Sequence, residues 1–437
     1  MRRCISILFR NFRILVVILV CWVTLNCVLV GTGFLVIRSS GGKRATLYRI
    51  DGDNQVYNTP VRASPQYFVF SVIALNSSEN ENYDIFTVNT WSNQTFVADD
   101  IYCCYLMRGG KLIRLGHLGI NQRSEMFNTT AQVECPNPTQ QHEYGYLRVA
   151  GVTVSTQHSC TNENIFREPY YPLKVTKQFS FAVCGKIIYG DINIALTVEW
   201  MEYHKYMGVN KVILYPYKLS VMGSKLLKYY RSIGFVDVVH LTLPPSAETH
   251  RPGMKTKEAW NIEQLVVHDC QGRLSGYQYV GVIDLDEFIV PVTDRNLETM
   301  MNKLLYILPN MSAVEVYGEM FILDWPPTNK AGKLVISKYE DRTISNAPVD
   351  INQRKLIHIP ARVQRGSVVT HGCKAHNSSY TIFKDPLSIM NINHYRKCVH
   401  FRDDCFTRAR IKDKRISRFT SKIETNVQRA KQKINKM

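Results

Sequence analysis

The segment YVGVIDLDEFIVPV, which runs from Tyr279 to Val292, joins an apolar run to three closely spaced acids. Side chains alternate between the two faces of a strand, so Asp284 and Asp286 are predicted to point one way and Glu287 the other. Two carboxylates side by side repel each other unless a cation lies between them, and a divalent metal ion suits that position. The segment therefore predicts a buried strand that ends in a metal site, with Glu287 bracing the loop.

The D-x-D pattern alone is not specific, because Asp51 and Asp53 also show it without a strand-like run before them. From Phe179 onward, however, strand-like runs (FAVCGKII, KVILYPY, FVDVVHLTL) alternate with helical ones (SKLLKYYRSIG, EAWNIEQLVVHDC). This alternation is typical of an α/β protein with a mainly parallel sheet and helices on both faces. Such sheets bind ligands beyond the carboxyl ends of their strands, which is where Asp284 and Asp286 lie.

The N-terminal part of the chain predicts a membrane anchor. Ile14 to Ile37 form a run of 24 residues without a charge, and a membrane-spanning helix needs roughly 20. A cleavable signal peptide has a shorter apolar core, about 7–15 residues, and a small-residue cleavage site, which is not seen here. We interpret 14–37 as an uncleaved signal anchor behind a cytosolic tail, 1–13, rather than as a buried core helix. The rest of the protein is then lumenal.

Composition divides the remaining chain into three parts. Residues 38–64 are polar, contain glycine and show no periodicity, so they are predicted to form a stem. Residues 65–165 contain short β-rich runs such as YFVFSVIAL and YLRVAGVTV between turn residues, which predicts a small all-β domain resembling a sandwich. Residues 175–437 hold the alternating strands and helices and are expected to form the catalytic domain.

Two features fit a lumenal location. The N-x-S/T pattern accepts N-linked glycans, and it occurs at Asn76, Asn93, Asn128, Asn310 and Asn377. Nine cysteines follow the apolar run without the C-x-x-C spacing of a zinc site, and some are expected to pair in an oxidising compartment. Because nine is an odd number, at least one must stay free or pair between chains.

The formal net charge is +18, which favours anionic partners. A nucleic-acid-binding protein is one such class, but the lumenal sequons and the absence of zinc-finger or RNP-like motifs argue against it. The C-terminal segment is strongly basic, with an apolar stripe at helical spacing formed by Ile416, Phe419, Ile423, Val427, Ala430 and Ile434. We interpret it as a helix packed on the catalytic domain rather than as a surface for an anionic ligand or membrane.

Five motifs, taken in order, resemble glycosyltransferase family 92: LTVEWMEYHKYMGVNKVILY, LLKYYRSIGFVDVV, HDC, DLDEFIVP and NHYRKC. The resemblance covers the chain from about Phe179 to its end. It implies a GT-A (Rossmann-like) fold, a nucleotide-sugar donor, Mn²⁺ and an inverting reaction. Membrane-anchored members of this kind are Golgi enzymes, and animal members are associated with β-galactosyl transfer from UDP-galactose to fucose on N-glycan cores.

One motif departs from the family pattern. The strand that commonly ends in YD or YDN reads LYPYKLS here, with Pro216 and Tyr217 at those positions. A polar contact near the nucleotide is therefore expected to be missing.

The resemblance assigns roles to several residues. A departing diphosphate concentrates negative charge on its oxygens, and a cation held by carboxylates neutralises that charge. Asp286 is the predicted first ligand, with Asp284 beside it or on the ribose. Enzymes of this fold usually complete the metal site with a histidine near the end of the domain, for which His394 is the first candidate and His371 the alternative.

Lys397, three residues beyond His394, is predicted to bind the diphosphate as a point charge. Inversion by a single displacement needs a general base that takes the proton of the acceptor hydroxyl. Glu319 and Asp324, in EVYGEMFILDW, are the candidates for this base. Trp325 is expected either to stack on a sugar ring or to pack in the core.

Two other classes of protein were weighed against a metal-dependent glycosyltransferase. A non-catalytic carbohydrate-binding protein of the same fold would share every apolar motif, but the intact acidic and histidine positions favour an enzyme. A hydrolase would place two acids about 5–10 Å apart around a glycosidic bond. Asp284 and Asp286, on one face of one strand, suit a metal ion better.

Overall fold

The computed structural model of the protein describes residues 34–38, 44–48, 56–58, 61–62, 67–75, 83–92, 101–122, 130–140, 148–156, 159–161, 164–241, 255–344, 354–385, 389–398 and 405–437. The predicted cytosolic tail and most of the predicted anchor, 14–33, lie outside these ranges, and Phe34–Arg38 is a β-strand. None of the helices in these ranges has the length and apolar character that crossing a bilayer requires.

The first part of the chain is rich in short strands. They are β1 (Phe34–Arg38), β2 (Arg44–Tyr48), β3 (Val56–Asn58), β4 (Val61–Arg62), β5 (Tyr67–Leu75), β6 (Ile85–Ser92), β7 (Tyr102–Met107), β8 (Leu112–Gly116), β9 (Gly119–Gln122), β10 (Thr130–Pro136), β11 (Val149–Ser155) and β12 (Ile165–Arg167). Eleven of them form two mostly antiparallel sheets, with the strand orders β1-β2-β12-β11-β7-β8 and β4-β5-β6-β10-β9. The predicted β-rich runs are therefore strands.

The two sheets share one apolar core. Val69 and Phe86 of the five-stranded sheet and Tyr105 and Val152 of the six-stranded sheet are almost fully buried in it. A disulfide between Cys103 and Cys135 joins β7 to β10 and so links the two sheets covalently. This arrangement is that of a sandwich.

The rest of the chain alternates strands and helices before it becomes irregular. Its elements are β13 (Phe181–Gly190), α1 (Ile194–Tyr206), β14 (Lys211–Leu219), α2 (Val221–Ser232), β15 (Val236–Leu241), α3 (Lys255–Arg273), β16 (Tyr279–Val282), β17 (Glu287–Pro291), α4 (Leu297–Ile307), β18 (Met311–Ile322), α5 (Val335–Lys338), β19 (Asp341–Thr343), β20 (Arg354–His358), β21 (Thr381–Asp385), β22 (Met390–Arg396), β23 (Arg410–Lys412) and α6 (Ser417–Asn435). Each strand and helix predicted between Phe179 and Cys270 is present.

These eleven strands and β3 build one mixed sheet of twelve strands, whose main order is β17-β22-β18-β20-β16-β13-β14-β15-β3. The section β16-β13-β14-β15 is parallel throughout, as the alternating pattern predicted. Beyond β16 the sheet mixes directions, because β20 runs antiparallel to both β16 and β18. The protein therefore has a mixed α/β fold with a large sheet, and its parallel section aligns the carboxyl ends of β13 and β16.

The segment predicted as a stem, 38–64, contributes strands to all three sheets. Strand β2 pairs with β12, β4 pairs with β5, and β3 pairs with β15 at the edge of the large sheet. Backbone pairing of this kind leaves no trace in composition or periodicity, which were the grounds for the stem interpretation.

Helix α3 lies between the large sheet and the sandwich. Its buried residue Val266 belongs to an apolar cluster that also contains Phe70 and Trp91 of the sandwich. A Cβ on Gly272 of this helix would lie 3.1 Å from the Ile73 side chain, so the helix and the strand approach closely. The two parts of the protein thus share a core at this helix.

Helix α6 confirms the interpretation of the C-terminal segment. The predicted stripe is buried, and the helix packs against α1 and α2. Arg418, Lys422, Arg429, Lys433 and Lys436 are on its exposed side.

Four disulfides are present among the described cysteines. They join Cys103 to Cys135, Cys104 to Cys160, Cys184 to Cys270 and Cys398 to Cys405. Cys373 is free, in agreement with the odd count. The pair of Cys184 and Cys270 ties β13 to α3 behind the parallel section of the sheet.

Candidate functional site

The segment YVGVIDLDEFIVPV, 279–292, contains two strands and a turn. Strand β16 ends at Val282, β17 begins at Glu287, and the acids lie in and after the turn between them. The backbone N–H of Glu287 donates to the carbonyl of Asp284 at 3.1 Å, and a Glu287 carboxylate oxygen accepts the N–H of Asp284 at 2.8 Å. Glu287 therefore braces the loop as predicted. The prediction that it points to the opposite face was wrong, because strand alternation does not continue through a turn.

Helix α1 fixes the position of β17. The Trp200 indole N–H donates to the Glu287 carbonyl at 2.6 Å, and the Tyr203 hydroxyl donates to the Ile289 carbonyl at 2.9 Å. Both aromatic side chains are fully buried. A buried Trp or Tyr needs a partner for its polar atom, so these bonds orient the strand that carries the acids.

Asp284 is held between two buried lysines. Its two carboxylate oxygens lie 2.9 Å from the Lys186 ammonium and 2.8 Å from the Lys355 ammonium. Loss of hydration raises the pKa of Asp284, but Lys186 and Lys355 outweigh it and hold the pKa well below its usual value. At neutral pH this carboxylate is ionised, with both of its oxygens engaged.

A bulge in β13 brings Lys186 to the acids. Its φ angle is 56°, and the pairing of β13 with β14 shifts register between Cys184 and Ile187. A Cβ on the preceding Gly185 would collide with the Leu214 side chain, so glycine lets the bulged backbone approach β14 closely there. Lys186 also lies 2.6 Å from the Glu263 carboxylate on α3.

Asp286, Glu287 and His394 form a compact donor group. One potential ligand atom from each residue lies within 4.8 Å of the others. The His394 ring has Nε2 at 3.4 Å from Asp286 and Nδ1 at 3.2 Å from Glu287. Burial raises the pKa of Asp286, but His394 outweighs it and the net pKa lies below its usual value. Cross-strand pairing sets this geometry, because Glu287 of β17 is directly opposite His394 of β22.

This group borders a pocket of about 650 Å³ at the carboxyl ends of β13 and β16. Lys186, Asp284, Asp286 and His394 line it. The loop from β13 to α1 and the first turn of that helix line it too, and the helix cap Asn193 accepts the Leu196 N–H at 3.1 Å. The parallel section of the sheet thus ends in a pocket where the sequence predicted one.

Two basic residues that follow His394 in the sequence also line the pocket. Lys397 is exposed and lines the pocket, as does its neighbour Arg396. The Arg396 Nε is buried and has no hydrogen-bond partner among the described residues. Lys397 therefore lines the same pocket as the acids.

The alternative histidine, His371, is not part of this lining. Its Nδ1 donates to the Arg354 carbonyl at 2.6 Å, and its side chain is neither in the pocket lining nor in the donor group. Burial lowers the pKa of His371, and the nearby Lys355 lowers it further. The structure thus brings His394, and not His371, to the acids.

The two candidates for the general base are in different surroundings. Glu319 on β18 is nearly buried and forms ion pairs with Arg342, at 3.2 Å, and with Arg415. Burial raises the pKa of Glu319 by more than these arginines lower it. Asp324 is exposed and accepts the Cys398 N–H at 2.6 Å, next to Leu323 of the pocket lining. Neither carboxylate lines the pocket itself.

Trp325 packs in the core, which was one of its two predicted roles. Its side chain is 2% exposed, its indole N–H donates to the Cys405 carbonyl at 3.1 Å, and Arg410 lies over the ring. Stacking on a sugar ring is wrong for this residue, because no face of the ring is free.

Lys186, Lys355 and Glu263 were missed by the sequence analysis. A signal existed for Lys186, which is the single charge inside the apolar strand AVCGKII. A lysine at such a position is almost never buried without a carboxylate partner, so it predicts an acid nearby. Lys355 follows Arg354 in RKLIHI and gave no such signal. The segment LYPYKLS, which differs from the family pattern, gave no information about the site, because neither Pro216 nor Tyr217 lines the pocket.

Comparison with solved structures finds weak likenesses. TarS from S. aureus (residues 1–349, in complex with UDP) has a TM-score of 0.27 and 9% identity over 50% of this chain and 61% of that one, so the chain spans about three fifths of its length. HddC from Yersinia pseudotuberculosis has a TM-score of 0.23 and 11% identity over 57% of this chain and 99% of that one. Likenesses this weak do not bear on fold or function. No curated protein matches the chain.

The sequence profile of one family matches more than half of the chain. The match runs over residues 179–437 and so includes the parallel section of the sheet, the turn with Asp284 and Asp286, and His394. It thus contains every residue of the pocket described above. The protein belongs to glycosyltransferase family 92.

Proposed function

We propose that the protein is a metal-dependent, inverting glycosyltransferase of the GT-A type that moves galactose from UDP-galactose to a glycan acceptor, such as fucose on an N-glycan core. The observation that carries this proposal is the donor group of Asp286, Glu287 and His394 beside a pocket at the carboxyl ends of parallel strands. Proteins with such an α/β sheet bind their ligands at that edge, where these acids lie.

The residues of the site suit a divalent cation in number and in charge. Among the described residues, four carboxylates, those of Glu263, Asp284, Asp286 and Glu287, are connected by close contacts to two ammonium groups, those of Lys186 and Lys355. With a neutral histidine, two negative charges remain, and the two positive charges of one cation balance them. Carboxylate oxygens suit Mn²⁺. Asp286 and His394, with Asp284 or Glu287 nearby, are the residues that would hold it.

When bound, the metal ion supplies positive charge to the departing diphosphate. The chain adds its own groups to the lining of the pocket. Lys397 and Arg396 carry charge that fits phosphate oxygens. The first turn of α1 also lines the pocket, and a helix N-terminus favours anions. These residues orient the diphosphate toward the acids.

Transfer with inversion also requires a base on the acceptor side. Asp324 suits this role better than Glu319, because it is exposed and follows Leu323 at the pocket wall, whereas Glu319 is paired with two arginines. We therefore propose Asp324 as the base and Glu319 as part of the ion pairs that hold β18 against the segment before α6.

A donor screen tests the proposed function. We expect the full chain in detergent to transfer galactose from UDP-galactose to a fucosylated N-glycan core in the presence of Mn²⁺, and EDTA to stop the transfer. NMR of the product should show a β-linkage. If no nucleotide sugar supports transfer and the glycan nevertheless binds, the protein is instead a non-catalytic carbohydrate-binding protein.

We further propose a single-pass type II protein of the Golgi membrane. The part of the uncharged run that precedes strand β1, 14–33, still has the roughly 20 residues that an anchor needs, whereas the last four residues of the predicted anchor belong to β1. Four disulfides support an oxidising compartment. Two of the predicted glycosylation sites, Asn310 and Asn377, are exposed, whereas Asn76, Asn93 and Asn128 lie outside the described residues.

Glycosidase treatment of the protein from mammalian cells is expected to increase its gel mobility, because lumenal sequons receive glycans that add mass. The Asn310→Gln and Asn377→Gln variants should each shift less than the wild type. An unchanged mobility, together with access of a cytosolic protease to the C-terminal part, would contradict the proposed topology.

A further inference from the structure

We propose that an N-linked glycan on Asn310 packs against the side chains of Tyr306 and Ile307, and so covers an apolar patch at the end of α4. These two residues are called the α4 patch below. The inference rests on the proposed lumenal location, because only lumenal sequons receive N-linked glycans. It concerns a surface away from the pocket and gives the glycan a structural role beyond the mass that it adds.

The α4 patch lies at the exposed end of its helix. Tyr306 and Ile307 are in the last turn, and their side chains are 88% and 58% exposed. Tyr306 is the most exposed large apolar residue in the part of the chain that the structure describes. It follows the buried Leu304 by two residues, which at 3.6 residues per turn puts it on the opposite side of the helix. Contiguous exposed apolar surface is typical of a place where another group binds.

The turn after α4 presents Asn310 next to the patch. The backbone N–H of Met311 donates to the Leu308 carbonyl at 3.0 Å, which closes a turn with the exposed Asn310 near its tip. The Arg362 guanidinium donates to the carbonyls of Pro309, at 2.7 Å, and Met311, at 2.9 Å, so the backbone is fixed on both sides of the tip. Four residues of chain span at most about 14 Å, so the first sugars on Asn310 can reach the patch.

The chemistry of the first sugar suits the patch. An N-linked glycan begins with N-acetylglucosamine, whose ring substituents are equatorial, so that both faces of the sugar ring present C–H groups. The face of an aromatic ring is negative and attracts such C–H groups, and an adjacent isoleucine adds apolar contact area. The sugar is also tethered four residues from Tyr306, which gives it a high effective concentration at the aromatic ring.

A second sequon on the same surface disfavours a protein partner at the patch. The backbone carbonyl of Arg362, whose side chain holds the turn of Asn310, accepts the N–H of His376 at 2.9 Å. Asn377 follows directly and is exposed. The Arg362 guanidinium also lies over the ring of Tyr380, 5.2 Å from its centroid. Both sequons are therefore placed around one arginine. A second copy of the chain would have to dock beside two hydrated glycans, whereas the glycan on Asn310 is already attached there.

This surface lies far from the pocket. Strand β18 begins at Met311, directly after Asn310, and ends at Ile322, directly before Leu323 of the pocket lining. Its twelve residues span about 40 Å. The glycan on Asn310 is therefore expected to act on the stability of the fold and not on the pocket.

Thermal unfolding of the full chain in detergent, produced in mammalian cells with short oligomannose glycans, tests the proposal as a double-mutant cycle. Asn310→Gln should lower the melting temperature by about 2 °C in the wild-type background and by less than about 0.5 °C in the Tyr306→Ser background. Asn377→Gln is the matched control for the loss of a glycan as such, and its effect should be the same in both backgrounds. Trimming with an endoglycosidase that leaves one N-acetylglucosamine per site should preserve the melting temperature of the wild type.

NMR of the protein labelled with ¹³C in its N-acetylglucosamine units provides a direct readout. The ring current of Tyr306 should move the C–H signals of the sugar on Asn310 upfield, and Tyr306→Ser should abolish this shift. An equal loss of melting temperature in the two backgrounds, or a wild type without shifted sugar signals, would overturn the proposal. So would a wild type that dimerises in analytical ultracentrifugation while Tyr306→Ser does not, because a second copy would then cover the patch.

Mass spectrometry of the glycopeptides separates this proposal from the proposed topology. An unoccupied Asn310 beside an occupied Asn377 overturns the packing of the glycan but leaves the lumenal location intact. If both asparagines are unoccupied, the lumenal location is contradicted, and the inference that depends on it is overturned as well.

Discussion

Replacing Asp286 by alanine is expected to lower kcat for sugar transfer by about 10³-fold or more, relative to the wild type. The departing diphosphate needs positive charge close to its oxygens, and loss of a carboxylate ligand removes several kcal/mol of that stabilisation. Each 1.36 kcal/mol corresponds to about a factor of ten in rate. Steady-state transfer from UDP-galactose at saturating Mn²⁺, compared with the wild type, measures the effect.

The fold should survive this change. The Asp286 side chain is 37% exposed in the pocket, and its backbone carbonyl still accepts the Tyr395 N–H at 2.9 Å. A matched control is Glu298→Ala, which removes an exposed acid from the first turn of α4 and should leave the rate unchanged. Wild-type activity of Asp286→Ala, or a reaction that EDTA does not affect, would remove the metal from the proposed function.

Replacing Lys355 by methionine is expected to lower the free energy of unfolding by about 3–5 kcal/mol, because it leaves the buried Glu287 carboxylate without its cation, while Asp284 keeps Lys186. Lys355 is 5% exposed and lies 2.8 Å from Asp284 and 2.9 Å from Glu287. Glu287 is fully buried and has no other lysine or arginine within ion-pair distance among the described residues. Chemical denaturation with the disulfides intact measures the loss.

Lys211→Met is the matched control for this variant. Lys211 is also 2.9 Å from a carboxylate, that of Asp237, but both side chains reach solvent. An exposed ion pair is worth about 0–1 kcal/mol, so this variant should be nearly as stable as the wild type. Equal losses in the free energy of unfolding of the two variants would show that the ion pairs of Lys355 stabilise the fold no more than an exposed ion pair does.

Periodicity alone predicted the parallel section of the sheet and the edge at which the acids lie. Local pattern sufficed for these features, because strand and helix period are properties of neighbouring residues. The family resemblance added the expectation that a histidine near the end of the domain would join them, and the structure does bring His394 to Asp286.

The details of the acid cluster were beyond local pattern. Lys355 and Asp284 are 71 residues apart in sequence, and nothing near either residue indicates the other. The turn between β16 and β17 was hidden for a different reason: its residues are apolar and acidic, without the glycine or proline that usually marks a turn. The prediction that Asp284 and Glu287 point to opposite faces assumed one continuous strand. Strand β16 ends at Val282, before either residue.

The shared core at helix α3 limits how this protein can be recombined with its relatives. Phe70 and Trp91 of the sandwich pack in the same cluster as Val266 of α3, and β3 lies at the edge of the large sheet. A gene fusion that exchanged only the sandwich would join two mismatched halves of one apolar cluster. The two parts are thus a single packing unit at this helix, and chimaeras should be cut so that the outer face of α3 travels with the sandwich it contacts.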